Sequence, residues 1–487
     1  MTLAERCGAQ GPAREAACAA LLERVQREGL AFVRVAWADL HGTLRGKTLV
    51  LPGPALEGAL RDGIGMVSTV LLKDTSDRTA FKVFEPGALA ALPGFGSANN
   101  VQLLPDPAAF HVLPWAPDTG WLRAEPFWDD GSALAADPRR VLQRALADLA
   151  ERGLSLRCGL ELEFHLHRIE GDALAPAQAG WPGEPPAVRH GHPGYRLLSE
   201  EHADLLAVPL ATVRRTALAL GMPLRSLEIE LGPSQVEAVF APTDALLAAD
   251  QLLLFRSAVR QALRREGWLA SFACVTPLPH AIASGWHLHQ SLVDAEGRNA
   301  MVRESPAGAP DDARQVLSDL GAHWLAGLLA HAPALAAISA PSLNAYARYQ
   351  GSVMAPQSAV WGRDNRGAML RVIGAPGDTA TRIENRLGEP LANPYLTMAA
   401  QVFAGLHGLQ QRLAAPPAAE NPYATAPTLP ATLGEALDAL ARDKVLCAGL
   451  GAPMAGVYQA IKRQEIARHA QAADPAAWLA REYFGRF

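Results

Sequence analysis

The sequence predicts an α+β protein, with a small strand-rich region followed by a larger region of mixed helices and strands. Alternation of apolar and polar residues, which is typical of strands, occurs along the chain together with the period of amphipathic helices. The alternating stretches lie at 156–168, 224–231 and 286–293, and the helical stretches at 199–220, 243–267 and 311–336. Because they do not follow a regular strand–helix–strand order, the pattern favours α+β over a doubly wound sheet.

The boundary between the two regions is predicted just before a well-marked helix. Residues 31–37 are predicted to form a strand of the first region. Asp137 is a good helix N-cap, Pro138 suits the first helical position, and Gly153 can end the helix that they begin. The predicted domains are 1–134 and 135–487.

The composition excludes several classes of protein. The chain has 44 Lys+Arg against 49 Asp+Glu and no basic block, so it lacks the positive field that a nucleic-acid binder needs. No apolar run reaches the roughly 18–20 residues of a membrane helix, and the first residues lack the pattern of a signal peptide. The cysteines are odd in number and lack a Cys-x-x-Cys pair, so we expect neither a disulfide framework nor a thiolate zinc site. A reducing cytoplasm is the expected location.

Carboxylates and imidazoles alternate with apolar residues in the stretch Leu-Glu-Leu-Glu-Phe-His-Leu-His. As a strand, it places on one face Glu161, Glu163, His165 and His167. Two interpretations stay open. The face is either the solvated side of an amphipathic strand or a pair of carboxylates aimed at a metal.

Two later stretches offer ligands of the same kind. Glu230 and Glu237 flank a Gly-Pro turn that can fold the second carboxylate back beside the first. Further along, alternation puts His287, His289 and Ser291 on one face of a strand. Each stretch also fits an ordinary exposed turn or strand. Taken as ligands, oxygen-rich groups with a single imidazole favour Mg²⁺ or Mn²⁺ over zinc.

Arginines cluster in the last third of the chain. Guanidinium groups bind phosphate and carboxylate oxygens well, although a solvated loop or a salt-bridge ladder is the alternative. No Gly-x-x-x-x-Gly-Lys-Ser/Thr loop occurs, so an ATP user would have to neutralise the phosphates with metals and arginines. The residues in question are Arg363, Arg366 and Arg371, and then Arg382, Glu384 and Arg386, of which the last three share a strand face.

Together and in this order, these stretches resemble the glutamine synthetase family over nearly the whole chain. Residues 39–47, Asp-Leu-His-Gly-Thr-Leu-Arg-Gly-Lys, are similar to that family's Asp-x-x-Gly-x-x-Arg-Gly-Lys motif. The resemblance implies a small N-terminal β-grasp domain and a large catalytic α+β domain. It also implies active sites between the subunits of a homo-oligomer, most simply a dodecamer of two hexameric rings.

The resemblance implies an ATP-dependent ligase that phosphorylates the γ-carboxylate of glutamate and lets ammonia or an amine displace the phosphate. Two or three Mg²⁺ or Mn²⁺ ions would occupy each site. One would be held by Glu163, Glu230 and Glu237, and a second by Glu161, His287 and Glu384. ATP would be contacted by His289, Ser291, Arg366 and Arg371, and glutamate by Arg348 and Arg386. Arg366 and Glu384 would also be catalytic.

Two departures from the family bear on the substrates. Ammonia-using members carry a glutamate, a few residues after the position of Arg348, that binds and deprotonates ammonium. Met354 occupies that position here and can do neither. The sequence therefore favours an apolar alkyl- or arylamine, in amine catabolism. A polyamine ligase, an ammonia-using enzyme and a catalytically silent sensor are the alternatives. Ile282 and Ala283 replace an Asn-Gly pair that contacts glutamate, which leaves the acid substrate open.

Overall fold

The N-terminal region is built on a five-stranded sheet. The computed structural model describes residues 1–171, 175–350, 354–423 and 428–487. The first strands are β1 (Phe32–Ala38), β2 (Leu44–Val50), β3 (Ile64–Val67), β4 (Asn100–Leu113) and β5 (Ala116–Phe127), in the spatial order β2-β1-β5-β4-β3. Strand β1 is parallel to β5 and antiparallel to β2. The strand predicted at 31–37 is thereby confirmed.

Three helices accompany this sheet: α1 (Leu3–Arg6), α2 (Pro12–Arg27) and α3 (Ala55–Asp62). Helix α2 is longer than the short elements that the sequence predicts there. Its only buried residues are Leu21 and Val25, so it shows no broad apolar stripe from which a helix could be recognised. These two side chains join a core that includes Val33 and Leu103 of the sheet.

The larger region contains a second sheet with nine described strands. They are β6 (Ser155–Ile169), β7 (Val188–His190), β8 (Leu224–Ile229), β9 (Gln235–Asp244), β10 (Trp268–Ser271), β11 (Trp286–Val293), β12 (Trp361–Arg363), β13 (Leu370–Ile373) and β14 (Arg382–Gly388). The main path is β12-β13-β14-β11-β6-β9-β8, and β7 and β10 also pair with β6. The alternating stretches of the sequence are thus confirmed as strands β6, β8 and β11.

Eleven described helices accompany this sheet. They are α4 (Pro138–Ala150), α5 (Glu200–Leu205), α6 (Ala207–Ala219), α7 (Ala245–Arg265), α8 (Asp319–Ala330), α9 (Ala332–Ser339), α10 (Pro394–Gln411), α11 (Leu433–Arg442), α12 (Lys444–Leu450), α13 (Ala452–Ala470) and α14 (Pro475–Leu479). Helix α10 contacts α4, α7, α8, α9 and α12. The mixture of helices and strands, with a sheet region ahead of a larger one, confirms the predicted α+β class.

The alternation in β6 decides which face of the sheet meets the helices. Leu160, Leu162 and Phe164 are buried in the main apolar core, and β6 contacts helices α4 and α7. Successive side chains of a strand point to opposite faces, so the acidic residues between these apolar ones face away from the helices. The helix layer therefore leaves the polar face of the sheet available for chemistry.

The helical stretch predicted at 311–336 is shorter and broken. Helix α8 begins after Ser318, whose side chain accepts a hydrogen bond from the Gly321 amide. Pro333 lies in the first turn of α9, where its missing N–H is tolerated but a continuous helix is not. Among the described residues, no single helix is long and apolar enough to span a membrane; α8 and α9 would be so only as a pair, and they meet at 74°.

Asp137 joins the two regions at the start of α4. Its side chain accepts a hydrogen bond from the Arg140 amide at 3.1 Å, as an N-cap should, and another from the Trp37 indole of strand β1 at 2.8 Å. The side chain is buried, and burial raises the pKa of its carboxyl to about 6. The predicted cap is confirmed, and it also anchors the first sheet.

Replacing Asp137 by Ala should lower the melting temperature of the protein. The change removes an N-cap, which costs about 1 kcal/mol, and leaves the buried Trp37 indole N–H unpaired, which costs roughly 1–3 kcal/mol more. Asp474→Ala is the matched control, because Asp474 caps α14 from an exposed position through the Ala477 amide. Thermal unfolding of both variants measures the difference, and equal shifts would contradict the anchoring role.

Candidate active site

Strand register brings the acidic and imidazole side chains together on the polar face of the second sheet. Strand β6 lies between β11 and β9, and directly opposed residues of antiparallel strands share a face. The opposed pairs are Glu161 with His287, Glu163 with Glu237, and His289 with Glu384. Residues from four strands thus form one continuous polar row.

Two groups of ligand atoms lie close enough to hold a metal ion. The ligand atoms of Glu161, His287 and Glu384 lie within 4.8 Å of one another, and so do those of Glu163, Glu237 and His287. The His287 ring serves both groups. Its Nδ1 is 3.1 Å from Glu161 Oε2 and 3.6 Å from Glu384 Oε1, and its Nε2 is 3.8 Å from Glu163 Oε1.

Glu230 belongs to neither of these groups, although the family resemblance places it with Glu163 and Glu237. It follows strand β8, and its amide donates to the Gln235 carbonyl across the turn that leads into β9. Burial and then the charge of Glu163 raise the pKa of the Glu230 carboxyl. Its carboxylate therefore lies near the cluster, at its edge.

The electrostatics of the cluster call for a cation. Burial, followed by the charges of Glu163 and Glu161, raises the pKa of Glu237 to about 10. The Nε2 atom of His287 is buried and has no hydrogen-bond partner among the described residues. A divalent ion would cancel the repulsion, and an ion beside Glu163 and Glu237 would also give this nitrogen a partner. Carboxylate oxygens with one imidazole suit Mg²⁺ or Mn²⁺, so the residues fit the group that the sequence implies.

Two residues that sequence reasoning did not single out fix the orientation of Glu163. Its Oε2 accepts hydrogen bonds from Gln235 Nε2 at 3.0 Å and from the Gly285 amide at 2.9 Å. These bonds leave Oε1 facing His287. Gln235 lies between the two acids of the Gly-Pro turn, which is the signal that could have identified it. Both residues position a predicted ligand.

Arg348 reaches the cluster because residue 285 is glycine. A Cβ at Gly285 would lie 2.6 Å from Arg348 Nη2 and 3.1 Å from His287 Nε2. Arg348 is buried, and its Nη1 donates to the carbonyls of Arg386 and Gly388. The guanidinium predicted to bind glutamate thus lies beside the imidazole of the cluster.

Arg386 is the second arginine predicted to bind glutamate. It forms a salt bridge with Glu384 and a hydrogen bond with the backbone of Met354. Its Nη1 lies 2.5 Å from Glu384 Oε1, and its Nη2 donates to the Met354 carbonyl at 3.2 Å. Burial opposes ionisation of Glu384, but His287 and Arg386 outweigh it and lower the pKa of this carboxyl. About half of the Met354 side chain is exposed. The preceding residues 351–353 lie outside the described part of the chain.

A cavity of about 880 Å³ opens beside the cluster. Its lining includes Glu161 and two of the residues predicted to contact ATP, His289 and Ser291. His289 Nε2 lies 2.9 Å from Glu161 Oε1, and its Nδ1 accepts a hydrogen bond from Arg382 Nε at 3.1 Å. The cavity is also lined by Arg382, a member of the arginine cluster seen in the sequence, and by Arg157, Arg225 and Arg298, to which the sequence gave no role.

The other two arginines predicted to contact ATP lie elsewhere in the structure. Among the described residues that line the cavity, neither Arg366 nor Arg371 appears. Arg366 is exposed in the loop after β12. Arg371 donates from Nη1 to Glu384 at 2.9 Å and also pairs with Asp364. Their roles toward ATP stay predictions.

His165 and His167 share the face of Glu161 and Glu163, as the alternation predicts, but they lie outside both ligand groups. Their rings are buried and stacked, with centroids 5.7 Å apart and planes 5° apart. Strands β7 and β10 both pair with this end of β6. The Phe484 ring contacts the His167 ring at a centroid distance of 5.4 Å, so this part of the face is core.

The chain is similar to known proteins over almost its whole length. Residues 135–481 match the model of the glutamine synthetase catalytic domain. The chain is 38% identical to a gamma-glutamylanilide synthase of an Acinetobacter species, over 95% of each chain. It is 31% identical to a gamma-glutamylethanolamide synthetase of Streptomyces coelicolor, over 89% of this chain and 88% of that protein.

A solved structure of a protein called GmaS in complex with ADP has the same fold. It superimposes with a TM-score of 0.75 and 26% identity, over 93% of this chain and 97% of that one. The matching domain model covers well over half of the sequence, and the anilide synthase is similar along almost its whole length. This chain therefore belongs to the glutamine synthetase family of ATP-dependent carbon–nitrogen ligases.

Proposed function

We propose that this enzyme joins the γ-carboxylate of glutamate to an apolar alkyl- or arylamine, in amine catabolism. The observation that carries the proposal is Met354, whose backbone is held by Arg386 beside Glu384. The family resemblance gives this position to the acid that binds ammonium in ammonia-using members. Similarity to a gamma-glutamylanilide synthase over 95% of both chains supports an arylamine as the substrate.

The reaction proceeds in two steps. An oxygen of the γ-carboxylate attacks the γ-phosphorus of ATP, and ADP leaves. The amine nitrogen then attacks the carbonyl carbon of the γ-glutamyl phosphate, inorganic phosphate leaves, and the nitrogen loses a proton. Phosphorylation is needed because a carboxylate oxygen is a poor leaving group, whereas phosphate is a good one.

Different residues bind the two substrates of the first step, glutamate and ATP. Arg348 and Arg386 bind the carboxylates of glutamate, since both are buried and lie against the cluster. ATP occupies the cavity lined by His289 and Ser291, with its phosphates toward Glu161. The arginines of this cavity neutralise the phosphate charge that develops during transfer.

Two or three Mg²⁺ or Mn²⁺ ions complete the site. We assign one to Glu163, Glu237 and Glu230, and a second to Glu161, His287 and Glu384. When bound, the ions supply positive charge to the phosphate oxygens. The raised pKa of Glu237 supports this assignment, because clustered carboxylates ionise together only beside a cation.

The proposal extends to organisation and location. We assign an N-terminal β-grasp domain to residues 1–134 and the catalytic domain to 135–487, which the start of the matching domain model at residue 135 supports. We also propose a homo-oligomer, a dodecamer of two hexameric rings, acting in the cytoplasm. The five cysteines, all free thiols, suit a reducing compartment.

Metal binding should stabilise the protein through the carboxylate cluster. Mn²⁺ should raise the melting temperature of the wild type, since a ligand that binds only the folded state stabilises it. Glu237→Gln should lose most of that shift and all ATP turnover, while Glu57→Gln, on the exposed face of α3, should keep both. Thermal unfolding with Mn²⁺ and with EDTA checks this. Full activity in EDTA would exclude a metal-dependent site.

Amine choice should follow the side chain at 354. Wild type should turn over aniline or isopropylamine faster than ammonium or putrescine, because an apolar amine gains about 0.8 kcal/mol per buried CH₂ group and Met354 offers no charge to a cation. Met354→Glu should depress use of the apolar amine and increase that of ammonium relative to it. Met354→Leu, which keeps an apolar surface, is the control.

Rates of ATP turnover at saturating ATP and glutamate, with each amine in turn, measure this preference. A wild-type enzyme that uses ammonium or putrescine faster than every alkyl- and arylamine would contradict the proposed amine class.

A further inference from the structure

Three loops meet beside the carboxylate cluster. They are residues 191–199 after β7, the turn 230–234 between β8 and β9, and residues 272–285 between β10 and β11. The Tyr195 amide donates to the Leu231 carbonyl at 2.6 Å, and the Tyr195 hydroxyl donates to the His280 carbonyl at 3.0 Å. The Leu198 amide donates to the Ile229 carbonyl at 2.9 Å. Backbone hydrogen bonds thus fix the first loop against the end of β8.

These loops hold non-glycine residues in a strained backbone conformation. Left-handed φ values occur at Tyr195 (60°), Leu198 (58°), Ser234 (63°) and His280 (64°). For a bulky residue such as leucine, this conformation is unfavourable, and strain of this kind concentrates at ligand-binding and catalytic sites. Four such residues in three adjoining loops indicate that a function maintains this geometry.

Two of these loops, 191–199 and 230–234, also expose apolar side chains to water. The exposed fraction is 56% for Tyr195, 63% for Leu198 and 38% for Leu231. We call these three side chains the apolar ledge. Leu198 is therefore unfavourable twice, through its backbone and through its exposed side chain. A glycine would remove both penalties, so packing within this chain does not explain a leucine there.

The apolar ledge adjoins the metal cluster through the turn 230–234. The Leu231 amide donates to Glu230 Oε2 at 3.3 Å. Across the turn, a Cβ on Gly232 would lie 3.0 Å from the Ile282 side chain, so Ile282 borders the same surface. The neighbouring Gly285 amide donates to Glu163. The turn that carries Leu231 thus also carries Glu230 and leads to Gln235, which positions Glu163.

We propose that the apolar ledge binds the aromatic ring of an arylamine substrate and thereby sets amine specificity. This inference rests on the proposed function. A ring is favoured over a flexible chain because the half-exposed Tyr195 ring is already held by its hydrogen bond to His280, and aromatic rings pack favourably on one another. Covering the ledge also removes its exposed apolar surface from water.

Leu198→Gly separates binding from stability. Glycine adopts a positive φ without strain, so the melting temperature should stay the same or rise. Removal of the side chain should nevertheless raise KM for aniline about tenfold, with kcat and the KM values for ATP and glutamate unchanged. That pattern marks a contact made equally in the ground state and the transition state. A purely structural leucine would instead change stability without changing KM for the amine.

Two further variants complete the test. Arg412→Gly is the matched control, because Arg412 has a φ of 49° at the exposed end of α10, away from the ledge. It should show the same backbone benefit with no change in KM for aniline. Leu231→Ala probes the ledge independently of backbone strain, and it should also raise KM for aniline. The ledge is excluded if both ledge variants keep KM for aniline within about twofold of wild type.

Hydroxylamine distinguishes failure of this inference from failure of the proposed function. It is small and needs no ledge, so wild type and both ledge variants should form γ-glutamyl hydroxamate from ATP and glutamate at equal rates. A wild type that forms no hydroxamate would overturn the proposed function itself. A wild type that forms hydroxamate but does not use aniline would leave the ligase intact and overturn the ledge.

Discussion

Repulsion among buried carboxylates is the constraint around which the larger region is organised. Glu161, Glu163, Glu237 and Glu384 lie on one face of a sheet, and burial weakens the screening that water would provide. Such a row is unfavourable unless hydrogen bonds and a cation balance it. The His287 and His289 rings, which lie against Glu161, provide part of that balance within the chain.

The fold holds these groups in place through strand register rather than through loops. A shift of one residue between β6 and β11 would turn Glu161 into the core and expose Leu160. The apolar face that packs on α4 and α7 therefore fixes the position of every ligand on the opposite face. In this sheet, the packing that stabilises the core also fixes the geometry of the site.

The sequence predicts those features that depend on neighbouring residues, and not those that depend on contacts between distant parts of the chain. Strands β6, β8 and β11 were recognisable because a period of two residues is local, and Asp137 was recognisable because a cap needs only its own helix. The positions of Arg366 and Arg371 were not, since a long flexible side chain reaches wherever its partners lie. The pattern also could not separate His165 and His167 from Glu163, because the residues that contact those two rings, Ser284 and Phe484, come much later in the chain. The periodicity says nothing about Met354, and only the family resemblance placed it at the amine position.

The single imidazole shared by the two ligand groups makes them chemically unequal. A neutral histidine carries one N–H and one lone pair, so His287 can ligate only one ion at a time, and the tautomer decides which. In the proposed ligand sets, His287 binds through Nδ1 together with Glu161 and Glu384. Glu163 and Glu237 then depend on Glu230, at the edge of the cluster, for a third ligand. The set with three carboxylates then carries one more negative charge than the other. The two ions should consequently load in order, the all-oxygen set first, so that scarcity of metal would empty the nitrogen-containing set before the other.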